Sequence, residues 1–380
     1  MSCPECDSWR ARGAKYCAAC GNPLTSGDGG CPECAGWEAK EANYCMACGR
    51  RLSLSAPPRR KGARHPGLHK AVTICTIIVA AVAALSLIYD AVHGADILWD
   101  IKDLSVRTGL FYPTFDGVDC FPRIWIGGVG IWALFVVDVS VISAFTAYAG
   151  YKCLRKRETG ADTDELERTG LAAASSILCA SLFVSVSYLL ITSAFGDRVD
   201  ISWMDTYTDY QMAFNLTNAG LMEEIEFRAA WIGIPMMAIG YMYARDRKSW
   251  QYLLGGFGMS RAAFALIIAS SIIFGLAHYS GWGWVKVPNA AIAGILFGYL
   301  YVEYGLYASV LAHFVNDMLS SVGWMLGSGI EGLVMLSMIV LGLVVVVYWV
   351  VKPNRAAVGV RGMPWLGELE DGIAAQWGRH

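Results

Sequence analysis

Long apolar runs separated by short polar segments dominate the chain after its first 69 residues. Eight of these runs are 19 residues or longer, close to the roughly 20 residues that an α-helix needs to cross the hydrocarbon core of a bilayer. The pattern predicts an all-α polytopic membrane protein with about eight transmembrane helices. The predicted runs are 70–92, 124–151, 171–195, 211–244, 262–280, 285–303, 306–326 and 330–351.

The composition and the basic residues agree with membrane insertion. Hydrophobic residues make up 55% of the 380 positions and charged residues 16%, a balance too apolar for an ordinary soluble domain. Lys and Arg cluster on alternate flanks, which the positive-inside rule assigns to the cytoplasm. We therefore expect a multi-pass protein of the cell membrane with cytoplasmic N- and C-termini. The formal net charge of −2 gives no electrostatic footprint for nucleic acid, which is not an expected partner. The basic flanks are 59–64, 152–157, 245–248 and 352–355.

A cysteine pattern occurs twice within the first 52 residues. Each copy has two Cys-x-x-Cys pairs, which give Zn²⁺ four thiolates in a closed tetrahedral site, and such a site is structural. A disulfide framework is the competing interpretation, but a cytoplasmic location keeps thiols reduced and favours zinc. The pattern resembles a double zinc ribbon and predicts two structural Zn²⁺ ions. The predicted ligands are Cys3, Cys6, Cys17, Cys20, Cys31, Cys34, Cys45 and Cys48.

These patterns divide the chain into four parts. Residues 1–52 form the predicted zinc-ribbon module, and residues 53–69 form a basic linker rich in Pro, Arg and Lys. Residues 70–351 form the transmembrane domain, and residues 352–380 form a cytoplasmic tail. A cytoplasmic zinc ribbon suggests a recognition or regulatory module for a cytoplasmic protein partner.

Three motifs place ionisable residues inside the apolar runs. A charged group in the bilayer costs about 2.5–3.5 kcal/mol on the insertion scale, so such residues tend to face a protein interior or a cavity and to mark functional sites. Glutamate, histidine, arginine and aspartate together predict a buried polar site that activates water. The competing interpretation is a set of ion pairs and hydrogen bonds that only hold helices together. The motifs are Glu-Glu-Ile-Glu-Phe-Arg at 223–228, Phe-Gly-Leu-Ala-His at 274–278 and His-Phe-Val-Asn-Asp at 313–317.

Helical spacing assigns partners within two of these motifs. Glu224 and Arg228 are four residues apart and share a helix face, which predicts a structural ion pair. His313 and Asp317 have the same spacing, so Asp317 is expected to orient the His313 ring or to help bind a metal. Glu223 is turned by about 100° from Glu224 and lacks that partner, which leaves it free to face a cavity.

The three motifs, in this order within apolar helices, resemble the CAAX-protease and bacteriocin-processing (CPBP) family of intramembrane proteases. The resemblance covers about residues 165–330. It implies an all-helical membrane core that hydrolyses peptide bonds. The catalytic residues that it implies are Glu223, Glu224, Arg228, His278, His313 and Asp317.

The resemblance also implies a role for each part of the site. Glu223 and His278 would activate the attacking water, and His313 with Asp317 would stabilise the oxyanion or complete a metal site. The last motif often ends in Asn in this family, whereas it ends in Asp317 here. A carboxylate donates a hydrogen bond to an oxyanion only when it is protonated, so a metal-ligand or His-orienting role is favoured for Asp317.

The expected function is an intramembrane endopeptidase that cuts a peptide or membrane-protein substrate in or near the lipid bilayer. Two chemistries stay open: water activated by glutamate and histidine alone, or a catalytic zinc ion bound by Glu, His and Asp side chains. The chain has no compact His-Glu-x-x-His helix of the kind found in many zinc proteases. Two other functions also stay open: a non-catalytic transporter or binding scaffold of the same fold, and a zinc-ribbon docking protein with a membrane anchor.

The predicted boundaries place the two histidines at different depths. His278 falls near the outer end of run 262–280, and His313 falls nearer the inner end of run 306–326. At about 1.5 Å per residue, this predicts a difference in depth of more than about 10 Å.

Overall fold

The computed structural model describes residues 66–108, 114–115, 118–119, 124–158, 169–199, 201–244, 249–319 and 321–351. The predicted zinc ribbons with all eight cysteine ligands, most of the linker and the tail at 352–380 lie outside the described residues. The double zinc ribbon and its two zinc ions therefore stay predictions.

Helices make up most of the described chain, as the apolar runs predict. A π-helical segment, Ile225–Gly233, joins two of the helices without a break, and short 3₁₀ helices occur at Ser202–Thr206 and Ser249–Leu254. The α-helices are α1 (Pro66–Val92), α2 (Gly94–Asp100), α3 (Val129–Glu158), α4 (Gly170–Ala194), α5 (Asp209–Glu224), α6 (Ile234–Ala244), α7 (Arg261–Ala277), α8 (Tyr279–Trp282), α9 (Lys286–Tyr304), α10 (Leu306–Met318), α11 (Ser321–Leu326) and α12 (Ser328–Val351).

Five helices within the described residues are long and apolar enough to cross a membrane. These five helices support the prediction that the chain is a multi-pass membrane protein. Three predicted spans, 211–244, 285–303 and 306–326, are not among the five, so the count of eight stays a prediction. The five are Lys70–Val92, Val129–Lys156, Gly170–Ala194, Arg261–Trp282 and Ser328–Val351.

Helix α10 is enclosed by other helices. It contacts α1, α3, α4, α5 and α9, and its buried residues include His313. With 13 residues it is about 20 Å long, shorter than a hydrocarbon core of about 30 Å. The predicted run 306–326 is wrong in its boundary, because α10 ends at Met318 and α11 begins only at Ser321. The third motif therefore lies in the protein interior.

Two short strand pairs between α2 and α3 depart from the all-α prediction. Both pairs are antiparallel. The predicted run 124–151 begins too early, because its first residues form a strand and Val129 is the first residue of α3. Gly128, with φ of 55°, makes the turn between this strand and α3. The pairs are β1 (Ser105–Thr108) with β4 (Ile124–Gly127), and β2 (Thr114–Phe115) with β3 (Val118–Asp119).

The start of α5 is fixed by a capping box. The Thr208 hydroxyl accepts a hydrogen bond from the backbone N–H of Gln211, and the Gln211 side chain accepts one from the backbone N–H of Thr208. The Thr208 hydroxyl also donates to the Asp100 carboxylate, and the Gln211 amide donates to the Asp100 carbonyl at 3.2 Å. The helix that carries the first motif is therefore anchored to the end of α2.

Two buried carboxylates tie α5 to α1 and α3. Asp90 of α1 accepts a hydrogen bond from the Thr217 hydroxyl at 2.9 Å. Asp138 of α3 accepts one from the Asn218 amide at 2.8 Å. Asp90 is 1% exposed and Asp138 is 0% exposed. Successive residues of α5 thus hold two neighbouring helices.

Candidate active site

Glu224 is the centre of the buried polar cluster. Its Oε1 accepts a hydrogen bond from Nδ1–H of His313 at 2.8 Å, and its Oε2 lies 3.2 Å from Nε of Arg228. The Glu224 and Arg228 side chains are both 0% exposed. The Arg228 guanidinium carbon also lies 4.9 Å from the centre of the Phe274 ring, a cation–π contact. The predicted ion pair is therefore present, and it is joined to helix α10.

The second nitrogen of His313 faces two more carboxylates. Its Nε2 lies 3.4 Å from Oδ2 of Asp317 and 3.6 Å from Oε2 of Glu223. The ring stacks on Phe297, with 5.0 Å between ring centres. Both nitrogens of one imidazole thus point at carboxylate oxygens, and an aromatic face fixes the plane of the ring. This arrangement places Asp317 where the i, i+4 spacing predicts it.

Glu223 differs from Glu224 in its contacts. No described residue hydrogen-bonds to the Glu223 carboxylate, and its Oε2 is buried without a hydrogen-bond partner among them. Its closest charged neighbour is His313, at 3.6 Å. The side chain is 30% exposed, against 0% for Glu224. A carboxylate that is partly accessible and not committed to a hydrogen bond meets the requirement for a general base.

His278 is linked to the buried cluster by an aromatic contact and not by a hydrogen bond. Its Nδ1–H donates to the carbonyl of Phe274 at 2.8 Å, which leaves the lone pair of a neutral ring on Nε2. The Phe274 ring lies edge-on to His278 at 4.6 Å and edge-on to His313 at 5.9 Å between ring centres. Both histidines contact the same phenyl ring, so they belong to one cluster although the predicted run boundaries place them far apart along their helices.

The π-helical segment begins directly after Glu224 and contains Arg228. The carbonyl of Phe227 within it accepts a hydrogen bond from the Ser270 hydroxyl at 2.5 Å, which ties the segment to α7. Turns of this kind occur as short insertions in α-helices and frequently at functional sites. No feature of the sequence predicts this π-helical segment.

Several residues near the cluster are not among the six predicted catalytic residues. The Asn316 amide donates to Oδ1 of Asp317 at 3.0 Å. Phe274 and Phe297 provide the aromatic surfaces against His313. Lys286, the first residue of α9, interacts electrostatically with Asp317 and Glu223. Lys286 lies in the predicted run 285–303. The high cost of a charge in the bilayer, which indicates a functional role for the other charged residues, therefore applies equally to Lys286.

The described residues do not form a ready-made metal site in this cluster. Within the described part of the chain, no group of three His, Cys, Asp or Glu side chains converges as a metal site requires. Both oxygens of Glu224 are engaged by Arg228 and His313, and both nitrogens of His313 face carboxylates. The metal-dependent and the metal-free chemistry therefore both stay predictions.

A comparison with protein families supports the resemblance. The family model for the type II CAAX prenyl endopeptidase Rce1-like family matches residues 207–319. The matched segment is less than half of the chain and contains all six predicted catalytic residues. No curated protein and no solved structure matches the chain.

Proposed function

We propose that this protein is an intramembrane endopeptidase that hydrolyses a peptide bond in or near the bilayer with water activated by Glu223 and His278. The observation that carries the proposal is the contrast between two adjacent carboxylates. Glu224 is 0% exposed, accepts a hydrogen bond from His313 and pairs with Arg228, whereas Glu223 is 30% exposed and accepts no hydrogen bond from a described residue. The family match at 207–319 supports the same class of reaction.

Glu223 acts as the general base. Its carboxylate takes a proton from a water molecule, and the water oxygen forms a bond to the carbonyl carbon of the substrate. The C=O electron pair moves to the carbonyl oxygen, which gives a tetrahedral oxyanion. When the C–N bond breaks, the leaving nitrogen takes the proton held by Glu223. One water is consumed, and the carboxylate returns to its starting state.

His278 orients the attacking water. Its Nδ1–H is committed to the Phe274 carbonyl, so its Nε2 presents a lone pair. We propose that this nitrogen accepts a hydrogen bond from the second hydrogen of the water while Glu223 removes the first. The edge-on contact with Phe274 restrains the His278 ring for this role.

The other cluster residues position Glu223. Arg228 neutralises Glu224, and Glu224 fixes the His313 ring through Nδ1. His313 then faces Glu223 at 3.6 Å and Asp317 at 3.4 Å through Nε2. Asp317 acts here as an orienting partner of His313, since a carboxylate is a poor donor to an oxyanion. Enclosure of the cluster away from bulk water strengthens each of these interactions.

The test is cleavage of a mixed peptide library by purified full-length protein in lipid nanodiscs, with products mapped by mass spectrometry. We expect Glu223→Gln to reduce cleavage by about 100-fold or more, the usual contribution of general acid–base catalysis. Glu331→Gln, which changes a glutamate of α12 outside the matched segment, is the control and should cleave like the wild type.

Two outcomes decide against the proposal. Equal cleavage by the wild type and Glu223→Gln overturns the assignment of the base. Binding of peptides without cleavage, unchanged in Glu223→Gln, favours the non-catalytic scaffold.

A further inference from the structure

Lys286 lies beside the proposed site because α9 packs closely on α7. A Cβ atom at Gly275 would lie 2.6 Å from the carbonyl oxygen of Val287, so the two helices are in backbone contact there. Gly275 follows Phe274, and Val287 follows Lys286. The contact therefore places the start of α9 next to the second motif.

An aromatic pair holds the Lys286 side chain. Its Nζ lies 4.7 Å from the centre of the Trp282 ring. The Trp282 ring is in turn packed edge-on against Trp203, with 5.1 Å between ring centres. Such contacts attract the ammonium group while leaving its three N–H donors able to bind an oxygen.

The charge of Lys286 acts on the site without being paired there. Lys286 interacts electrostatically with Asp317 and Glu223, and its charge also acts on His278. Its ammonium group forms no ion pair or hydrogen bond with another described residue. Arg228 and His313, the other cationic side chains of the cluster, each face carboxylates directly. Within the described chain, Lys286 is the cation of this site that is available to a ligand.

Peptide hydrolysis requires a donor for the oxygen that becomes negative. Pre-organised donors at this oxygen provide one of the largest contributions to catalysis. Two donors in the predicted motifs are already used: Nδ1–H of His278 on the Phe274 carbonyl, and one N–H of the Asn316 amide on Asp317. The Arg228 side chain is 0% exposed, and Nε2 of His313 faces the carboxylates of Asp317 and Glu223. Asp317 itself is a carboxylate and an acceptor. The cluster therefore contains a base and an orienting histidine, whereas its motif donors are hydrogen-bonded, fully buried or turned towards carboxylates.

We infer that Lys286 is a catalytic residue whose ammonium group donates hydrogen bonds to the oxyanion of the tetrahedral intermediate. The inference rests on the proposed endopeptidase function and adds a residue to it. As the water oxygen bonds to the carbonyl carbon, the charge that moves to the carbonyl oxygen meets the Lys286 ammonium. When the C=O bond reforms and the C–N bond breaks, the charge leaves that oxygen, and Lys286 keeps its proton throughout.

The experiment compares Lys286→Met and Lys286→Arg with the wild type on a peptide that the wild type cleaves, in nanodiscs. Loss of one oxyanion donor typically lowers kcat by about 100- to 1,000-fold, so we expect that loss in Lys286→Met with little change in KM. Lys286→Arg should retain part of kcat because it keeps the charge. Affinity for a tetrahedral phosphonate analogue of the substrate should fall in Lys286→Met in proportion to kcat/KM.

A matched control removes the same kind of contact elsewhere. Lys102 lies over the Trp99 ring at 3.6 Å, in the segment that follows α2. Lys102→Met also loses a Lys–Trp cation–π contact and should keep wild-type kcat. A fall in kcat equal to that of Lys286→Met would overturn the inference, because the effect would then follow from losing a surface contact.

Two other results would overturn the inference and leave the proposed function intact. One is full activity in Lys286→Met beside loss of activity in Glu223→Gln. The other is a rise in KM that disappears when the peptide carries a C-terminal amide, which would make Lys286 a binding residue for the substrate carboxylate. Equal cleavage by the wild type and Glu223→Gln would overturn the proposed function and the inference with it.

Discussion

A Cβ atom at Gly220 would lie 2.7 Å from the Cα of Phe314, so helices α5 and α10 are in backbone contact at this point. Glu224 is one turn further along α5, and His313 immediately precedes Phe314 on α10. Small residues permit such close approaches between membrane helices. The contact at Gly220 therefore brings the 2.8 Å hydrogen bond between Glu224 and His313 within reach.

We expect Gly220→Ala to lower the free energy of unfolding by about 1–3 kcal/mol, as overpacking does, and to reduce cleavage by separating Glu224 from His313. Gly150→Ala in α3 is the control, since a Cβ atom there meets nothing within 4 Å. Alanine is the better helix former, so this variant should be at least as stable as the wild type. Thermal unfolding in detergent and the cleavage assay measure both effects. Wild-type behaviour of Gly220→Ala would show that the two helices can shift apart without consequence.

Arg228→Met should prevent stable folding. Both partners of the Glu224–Arg228 pair are 0% exposed, and removing one partner of a buried ion pair typically costs about 3–5 kcal/mol. The double variant Glu224→Gln/Arg228→Met removes both charges and should recover most of the folded yield without recovering cleavage. The yield of monodisperse protein by size-exclusion chromatography measures the first effect. Normal yield from the single variant would contradict a structural role for the pair.

His278 should be needed for cleavage and not for folding. Its ring donates to a carbonyl of its own helix and makes no hydrogen bond to the other five predicted catalytic residues. The side-chain amide of asparagine can donate the hydrogen bond that Nδ1–H donates, but it has no acceptor at the position of Nε2. We therefore expect His278→Asn to unfold at the wild-type temperature and to lose cleavage by about 100-fold or more. His93→Asn is the control, since this histidine packs against Tyr89 and Tyr210 outside the site. Retained cleavage in His278→Asn would remove Nε2 from the mechanism.

The zinc prediction for residues 1–52 has a direct test in metal analysis of the full-length protein. We expect two zinc ions per chain, one after Cys3→Ser/Cys6→Ser, one after Cys31→Ser/Cys34→Ser, and none when all four cysteines are replaced. The last variant should also retain cleavage, because the proposed mechanism uses no metal. Zinc remaining in it at one ion per chain, lost together with activity on chelation, would place a metal in the membrane site.

Sequence spacing predicts contacts within one helix turn and fails for contacts between helices. The Glu224–Arg228 and His313–Asp317 pairs follow from the i, i+4 rule. The contact of both histidines with Phe274 depends on how the helices pack, and no spacing along the chain encodes it. Boundaries inferred from apolar runs also hide the end of α10 at Met318, because buried loops between packed helices are as apolar as the helices.

The Asp138–Asn218 hydrogen bond bears on the order in which the protein is made. Asn218 follows Asp138 by 80 residues, so α3 leaves the ribosome before the partner of its carboxylate exists. During that interval the helix carries an aspartate that lipid alone would solvate poorly. The Asp138 carboxylate therefore gains this hydrogen bond only after α5 has been made. The same holds for Asp90 and Thr217, so both buried carboxylates of the earlier helices acquire their partners when α5 joins them.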